Sequence, residues 1–377
     1  MNKIYLLILM SASIMIVFYG RIDIADAPFD SIPDIKNYRL MAEAAPGLDD
    51  TVSRNFGYRI LLPYTAGLMP FGVDTNFYII TVILSLLLPL IFFRFLKAYG
   101  LKDETSFYLT LLFLAGRYTY GFAVWDFYDV HDLFTYILIL LFLIALKSNS
   151  FLNLSIILSI GVLNRETVLF LVPSAIFYYA VIKRDKKRSA TFLLSILAPV
   201  VILILLRSLI TTESAAGKGI IYSLGKLRFD ESQKLLDPVT YYRIINTFIP
   251  LTFIPMIFFE TSRKFFKENF HLLILTATYV ASCFLAGDTE RLIVPAFPVF
   301  FLLLGIIFEK HGFYSLKQRL FILMMCIVSI PHHIFFRYRL PHRDWKVAVS
   351  LITLTAVTVF FYRLKRKNRV LDNNSDI

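Results

Sequence analysis

Cysteine is nearly absent from this chain. Cys283 and Cys326 are the two that occur in 377 residues, and both lie inside apolar runs. That placement fits buried small side chains and leaves no disulfide framework, redox pair or cysteine metal site to argue from. There is no CxxC pair, no HExxH helix and no glycine-rich phosphate loop, so the sequence offers none of the short motifs of those chemistries. An inverted internal repeat, as many secondary transporters carry, is not visible either. Acidic residues are also scarce: 27 Asp and Glu stand against 39 Lys and Arg, for a net charge of +12. In a soluble protein that balance would suggest nucleic acid. Here it is better explained by basic loops retained on the cytoplasmic side of a membrane, and no nucleic-acid partner is expected.

What the chain has in abundance is apolar sequence. Apolar residues make up 57%, aromatic residues 16%, and the mean hydropathy is +0.66. A membrane span needs about 20 apolar residues, and runs near that length recur at 4–19, 76–96, 106–122, 133–146, 151–163, 168–182, 190–210, 244–259, 270–286, 292–308, 320–335 and 347–362. The expectation is an all-α polytopic membrane protein with about twelve transmembrane helices, forming one transmembrane domain over 1–377. The first run follows Lys3 like a signal peptide, and Ala25-Asp26-Ala27 resembles a cleavage site. Pro28 and the nearby charges oppose cleavage, so a retained helix is expected.

Charge sets the orientation. The blocks at 183–188 and 363–369, with lesser ones at 97–102, 147, 263–267 and 310–319, all fall on one side if the N-terminus is inside. Both termini are therefore expected in the cytoplasm of a cell whose inner (plasma) membrane holds the chain, with 363–377 a basic tail. The loop 337–346 is basic yet falls outside. The other outer loops are 21–75, 123–132, 164–167, 211–243 and 287–291. Within the first of these, 59–73 is apolar but short and interrupted by Pro63 and Pro70, which suits a helix lying in the interface. If 151–163 and 168–182 are separate spans, the turn Asn164-Arg165-Glu166-Thr167 is recessed into a wet cavity. If they form one long helix, every later loop changes side.

The carboxylates collect on the outer side. Asp34 stands in Pro33-Asp34-Ile35-Lys36-Asn37-Tyr38 within a loop carrying six Asp and one Glu between 21 and 58. A single carboxylate near a membrane surface suits a general base; it equally suits the N-cap of a helix starting at Ile35, and the two roles are compatible. In Trp125-Asp126-Phe127-Tyr128-Asp129-Val130-His131-Asp132 the acids sit three apart and share a helix face. Asp126 and Asp129 suit a divalent cation, magnesium or manganese, or the cap of a helix beginning near Leu133. Arg165 and Glu166 suit either a structural ion pair or, through the arginine fork, a lipid phosphate. Arg59 and Arg291 suit phosphate too, or snorkelling to headgroups. His332, His333 and His342 lie beside Arg337, Arg339 and Arg343; headgroups fit this cluster better than zinc does.

With these residues in view, the chain resembles the glycosyltransferase-C superfamily. The likeness rests on a single helix followed by a long outer loop with Asp34 close to Tyr38, and on the segment Tyr58-Arg59-Ile60-Leu61-Leu62-Pro63. It rests also on the acidic cluster Asp126, Asp129 and Asp132, and on the arginine-containing stretch from Asp288 to Pro295. The likeness is in the order of elements over most of the chain, and the first acidic motif here is not a tight Asp-Asp or Asp-Glu pair. The resemblance implies that Asp34 is the base and that Asp126 and Asp129 help hold acceptor or metal; Tyr38, Arg59, Arg165, Glu166 and Arg291 are expected to bind substrate beside them, the arginines through its phosphate. It implies a polyprenyl-phosphate-sugar donor in the outer leaflet and a glycan, lipid or protein acceptor, with inversion at the anomeric carbon. A carrier or flippase for a lipid-linked sugar is the rival, as is a polysaccharide polymerase or ligase.

Overall fold

The computed structural model describes residues 3–23, 33–210, 237–284, 289–313, 315–330 and 343–375. Those residues are all-helical, with no strand among them. Five helices are long and apolar enough to cross a membrane: Val73–Ala98, Phe127–Ser148, Lys186–Leu209, Thr289–Lys310 and Val347–Lys367. Shorter apolar helices are Lys3–Tyr19, Phe151–Asn164, Glu166–Ile182 and Phe270–Ser282. The architecture is that of a helical membrane protein.

Several expected runs are helices with nearly the expected limits. Others are broken, and the breaks have local causes. The run 106–122 stops as a regular helix at Leu114, because Gly116 turns extended before a wide turn over Arg117–Gly121. The run 244–259 is not one helix. Pro238–Asn246 ends before Pro250, and helix resumes only over Ile254–Ile257 beside Pro255. Each proline removes a backbone donor and crowds the preceding turn. The runs 151–163 and 168–182 are two elements, since Phe151–Asn164 stops where Arg165 becomes extended at φ −166°. The chain then folds back, bringing Lys183 to the same end as Lys147.

Close packing holds the bundle together. Between lipid-bathed helices the apolar driving force is weak, so contact and small residues matter more. Phe92 meets Phe113 at 4.8 Å and Phe297 at 5.4 Å between ring centroids, and Phe113 meets Phe297 at 5.0 Å. The Lys3–Tyr19 helix buries Ile8, Ala12, Ile16 and Tyr19, and the Tyr19 hydroxyl donates to the Leu114 carbonyl at 3.0 Å. The apolar segment after Arg59 forms the helix Leu61–Leu68, which packs on Pro33–Ala44. Gly67 allows this approach: a Cβ there would lie 2.0 Å from the Ala42 carbonyl oxygen.

Two ends of the bundle differ in charge. The Val130–Ser148 helix carries Asp132 in its first turn and Lys147 in its last; its 19 residues rise roughly 28 Å. The turns with Lys97, Lys102, Lys147 and Lys183 gather at one end, and the aspartates described next gather at the other.

Candidate active site

Four parts of the chain converge on one guanidinium. Arg291, on the short helix Thr289–Ile293, donates from Nη1 to Asp34 Oδ2 at 2.8 Å. It donates from Nη2 to Asp129 Oδ1 at 2.7 Å and from Nε to Asp132 Oδ2 at 2.9 Å. The other oxygen of Asp132 accepts from Arg165 Nη1. Asp129 and Asp132 are 2% and 3% exposed, whereas Asp34 keeps 24%. Such charge-assisted forks are short and geometrically exacting.

Local sequence explains the aim of each group. Asp34 lies in the first turn of Pro33–Ala44. It does not cap a helix starting at Ile35, because the helix has already begun. Asp126 is the residue that caps: its Oδ1 accepts from the Tyr128 amide at 3.2 Å and starts the short turn Phe127–Asp129. Asp129 and Asp132, three apart, then share the face turned toward Arg291. Arg165 is extended between two helices, which projects it toward Asp132. Its ion pair is with Asp132, not with its neighbour Glu166.

A second group adjoins the first along the same two helices. Tyr38, one turn beyond Asp34, lies against the His131 ring at 4.2 Å. Its hydroxyl accepts from Arg59 Nη1 at 2.7 Å. His131 Nδ1 meets Asn164 Oδ1 at 3.0 Å, and Asn164 Nδ2 donates to the His131 carbonyl at 3.1 Å and to Thr135 Oγ1 at 2.9 Å. His131 Nε2 and the Nε atoms of Arg59 and Arg165 are buried without hydrogen-bond partners. Burial opposes the Arg59 charge, but Tyr38, Glu166 and Asp34 outweigh it and hold its pKa above the ordinary arginine range. Burial raises the Tyr38 pKa, with Arg59 and Arg165 pulling against it. Asp126, in the loop before the Phe127–Ser148 helix, is pushed up to about 6 by burial, against the pull of Arg291.

The structure thus brings Asp34, Asp129 and Arg291 into direct contact, joins Arg165 to them through Asp132, and sets Tyr38 and Arg59 beside them. Asp126 and Glu166 act on the group through their charge. Three residues are additional: Asp132, which holds both arginines, and His131 with Asn164, which lock the turn to the Val130–Ser148 helix. Asp132 stood in the same acidic run, and its three-residue spacing from Asp129 was the available signal. Nothing in the sequence pointed to the Asn164–His131 bond, which joins residues 33 apart.

The cavity bounded by Asp132, Arg165, Tyr279, Ser282 and Arg291 holds about 10 Å³, space for roughly one water, so among the described residues these side chains pack closely. Among the described residues no three His, Cys, Asp or Glu side chains are placed to hold a metal ion, and the charge facing Asp129 is Arg291. Gly287, Asp288, the histidines 332, 333 and 342, and the outer loop from 211 to 236 lie outside the described residues. No protein-family model matches the chain and no curated protein matches it, so the reading of this site rests on its own geometry.

Proposed function

We propose that this chain is an integral-membrane glycosyltransferase of the glycosyltransferase-C kind. It moves a sugar from a polyprenyl-phosphate carrier to an acceptor hydroxyl at the extracytoplasmic face of the inner membrane. About twelve spans with both termini in the cytoplasm belong to this reading. So do membrane lipids as surroundings and a glycan, lipid or protein as acceptor.

The observation that carries it is the meeting of Asp34 with Arg291, Asp129, Asp132 and Arg165 at one end of the bundle, opposite the lysine-rich turns. Of Asp34, Asp126, Asp129 and Asp132, Asp34 retains appreciable exposure. It is the one an acceptor can reach. In the transfer, the acceptor oxygen forms a bond to the anomeric carbon while the bond from that carbon to the carrier phosphate breaks. Asp34 takes the hydroxyl proton, and the phosphate leaves with the electron pair. A phosphate needs no second carboxyl to protonate it, unlike the leaving group of a glycoside hydrolase. It does need positive charge. Arg59, which forms no ion pair among the described residues, and Arg165, with a buried spare donor, supply it.

The tight packing assigns Arg291 a further part. It holds Asp34 until substrate enters and then remains anchored by Asp129 and Asp132. Opening therefore separates Asp34 from Arg291 and enlarges the cleft. The test is transfer from a lipid-phosphate sugar in proteoliposomes. Asp34→Asn should abolish product while the protein stays folded; near-normal turnover would remove Asp34 from the role of base. Movement of a lipid-linked sugar across the bilayer without any product would instead establish a carrier.

A further inference from the structure

A cavity larger than the one at the aspartates lies elsewhere. It lies at the other end of the bundle and holds about 280 Å³. Its lining includes the exposed Lys147 and Lys183, Tyr99 and Tyr178, the half-buried Asn269 and the buried His271. These residues come from the ends of separate helical segments, and no part of the proposed transfer uses them.

We propose that this cavity is a binding site for a phosphate ester. Several observations point the same way. The Lys147 ammonium lies over the Tyr99 ring at 4.7 Å and donates to the Ala98 carbonyl at 2.6 Å, which leaves two of its three donors to spend. The Lys183 ammonium lies over the Tyr178 ring at 5.4 Å. Neither lysine has a carboxylate partner among the described residues, although Lys97, beside the Ala98 that Lys147 bonds, pairs with Asp103 at 2.6 Å. The two ammonium groups feel each other's charge, so a bound anion offsets a repulsion already built in. His271 is 3% exposed and its Nδ1 has no hydrogen-bond partner. Its ring is held by Tyr178 at 4.8 Å between centroids, and its carbonyl by Ser174 Oγ at 2.8 Å. Asn269 uses one amide proton on the Phe265 carbonyl at 3.1 Å and keeps a second.

Two point charges, a buried imidazole and an amide around one hollow match a phosphate ester, whose several oxygens accept from all of them. A carboxylate would leave donors unmet, and a hollow of this size admits more than a bare ion. The aromatic walls and the apolar side chains behind them suit the organic part of the ester. The ester comes either from a lipid headgroup of the adjoining leaflet or from a soluble metabolite.

The experiment is binding by isothermal titration to the purified full chain in neutral detergent. The probes are inorganic phosphate, glycerol 3-phosphate and a short-chain phosphatidic acid in mixed micelles. Saturable binding of the phosphatidic acid alone assigns the site to a lipid headgroup; binding of glycerol 3-phosphate with similar affinity assigns it to a soluble ester. K147Q/K183Q should weaken whichever binds by about tenfold or more. N269D, which adds a competing carboxylate and removes no cation, should do likewise and keeps the test decisive if the double variant does not fold. Asp34→Asn should leave this binding unchanged, which separates it from any donor binding at the opposite end. Absence of saturable binding in the unaltered chain, or affinity in K147Q/K183Q and N269D equal to that of the unaltered chain, would overturn the proposal.

Discussion

At the scale of single residues, the aspartates are not equivalent, and burial says how they differ. Asp132 is 3% exposed and bonded to both Arg165 and Arg291. Removing its charge leaves the buried Arg165 without its ion pair and takes one of three carboxylates from Arg291, a loss of about 3–5 kcal/mol for a broken buried pair. Asp34 is 24% exposed and leaves Arg291 two other partners, so its neutralisation costs on the order of 1 kcal/mol. Thermal unfolding in detergent should therefore show a large drop in Tm for Asp132→Asn and a small one for Asp34→Asn. Equal drops would mean that Arg291 does not gather these carboxylates as described. Asp126 gives a pH signature. Its folded pKa is raised to about 6 by burial, above the ordinary carboxylate value near 4. The folded state then holds a proton that the unfolded chain has released, so the associated stability is full below about pH 4 and fades as pH rises through about 6. Asp126→Asn should flatten Tm between pH 4 and 7. Arg291→Gln should move the window upward, because Arg291 is what pulls the Asp126 pKa down.

Elements were legible to different degrees, and the reasons are local. Uninterrupted apolar runs announced Val73–Ala98 and Phe127–Ser148, since a long apolar stretch has few other fates. The breaks at Gly116 and around Pro250 were written in the same runs, but length alone hid them. Asp34 and Arg291 were legible as charged residues bordering apolar sequence. Their pairing across 257 positions was not, because such distance is closed only by packing of helices between them. That packing depends on close contacts. Gly67 brings Leu61–Leu68 against Pro33–Ala44, and thereby fixes the helix that carries Asp34 and Tyr38. Gly67→Ala places its Cβ 2.0 Å from a backbone oxygen, so the two helices must separate, at about 1–3 kcal/mol. Gly72→Ala meets nothing within 4 Å and should stay within about 0.5 kcal/mol. Comparison of their unfolding midpoints checks the crossing directly; matching midpoints would refute it.

For the whole molecule, the governing feature is polarity between the ends of the bundle. Asp132 and Lys147 lie in the first and last turns of one helix of 19 residues, whose rise of roughly 28 Å is close to the thickness of a bilayer's hydrocarbon core. The aspartate–arginine cluster and the lysine-lined cavity thus face different aqueous sides if that helix crosses the membrane. Lysines and arginines are retained in the cytoplasm during insertion, so the proposed orientation puts the cluster outside. The native cysteines are both buried, which makes labelling of introduced cysteines readable once Cys283 and Cys326 are replaced by alanine. Glu43, 49% exposed and near the aspartate end, and Lys187, in the basic turn after Lys183, are suitable positions. In intact cells a membrane-impermeant maleimide should label E43C and leave K187C unlabelled; after lysis both should react. Labelling of K187C before lysis with E43C protected would invert the protein in the membrane. It would place the aspartates in the cytoplasm, where a lipid-phosphate sugar presented in the outer leaflet does not reach them.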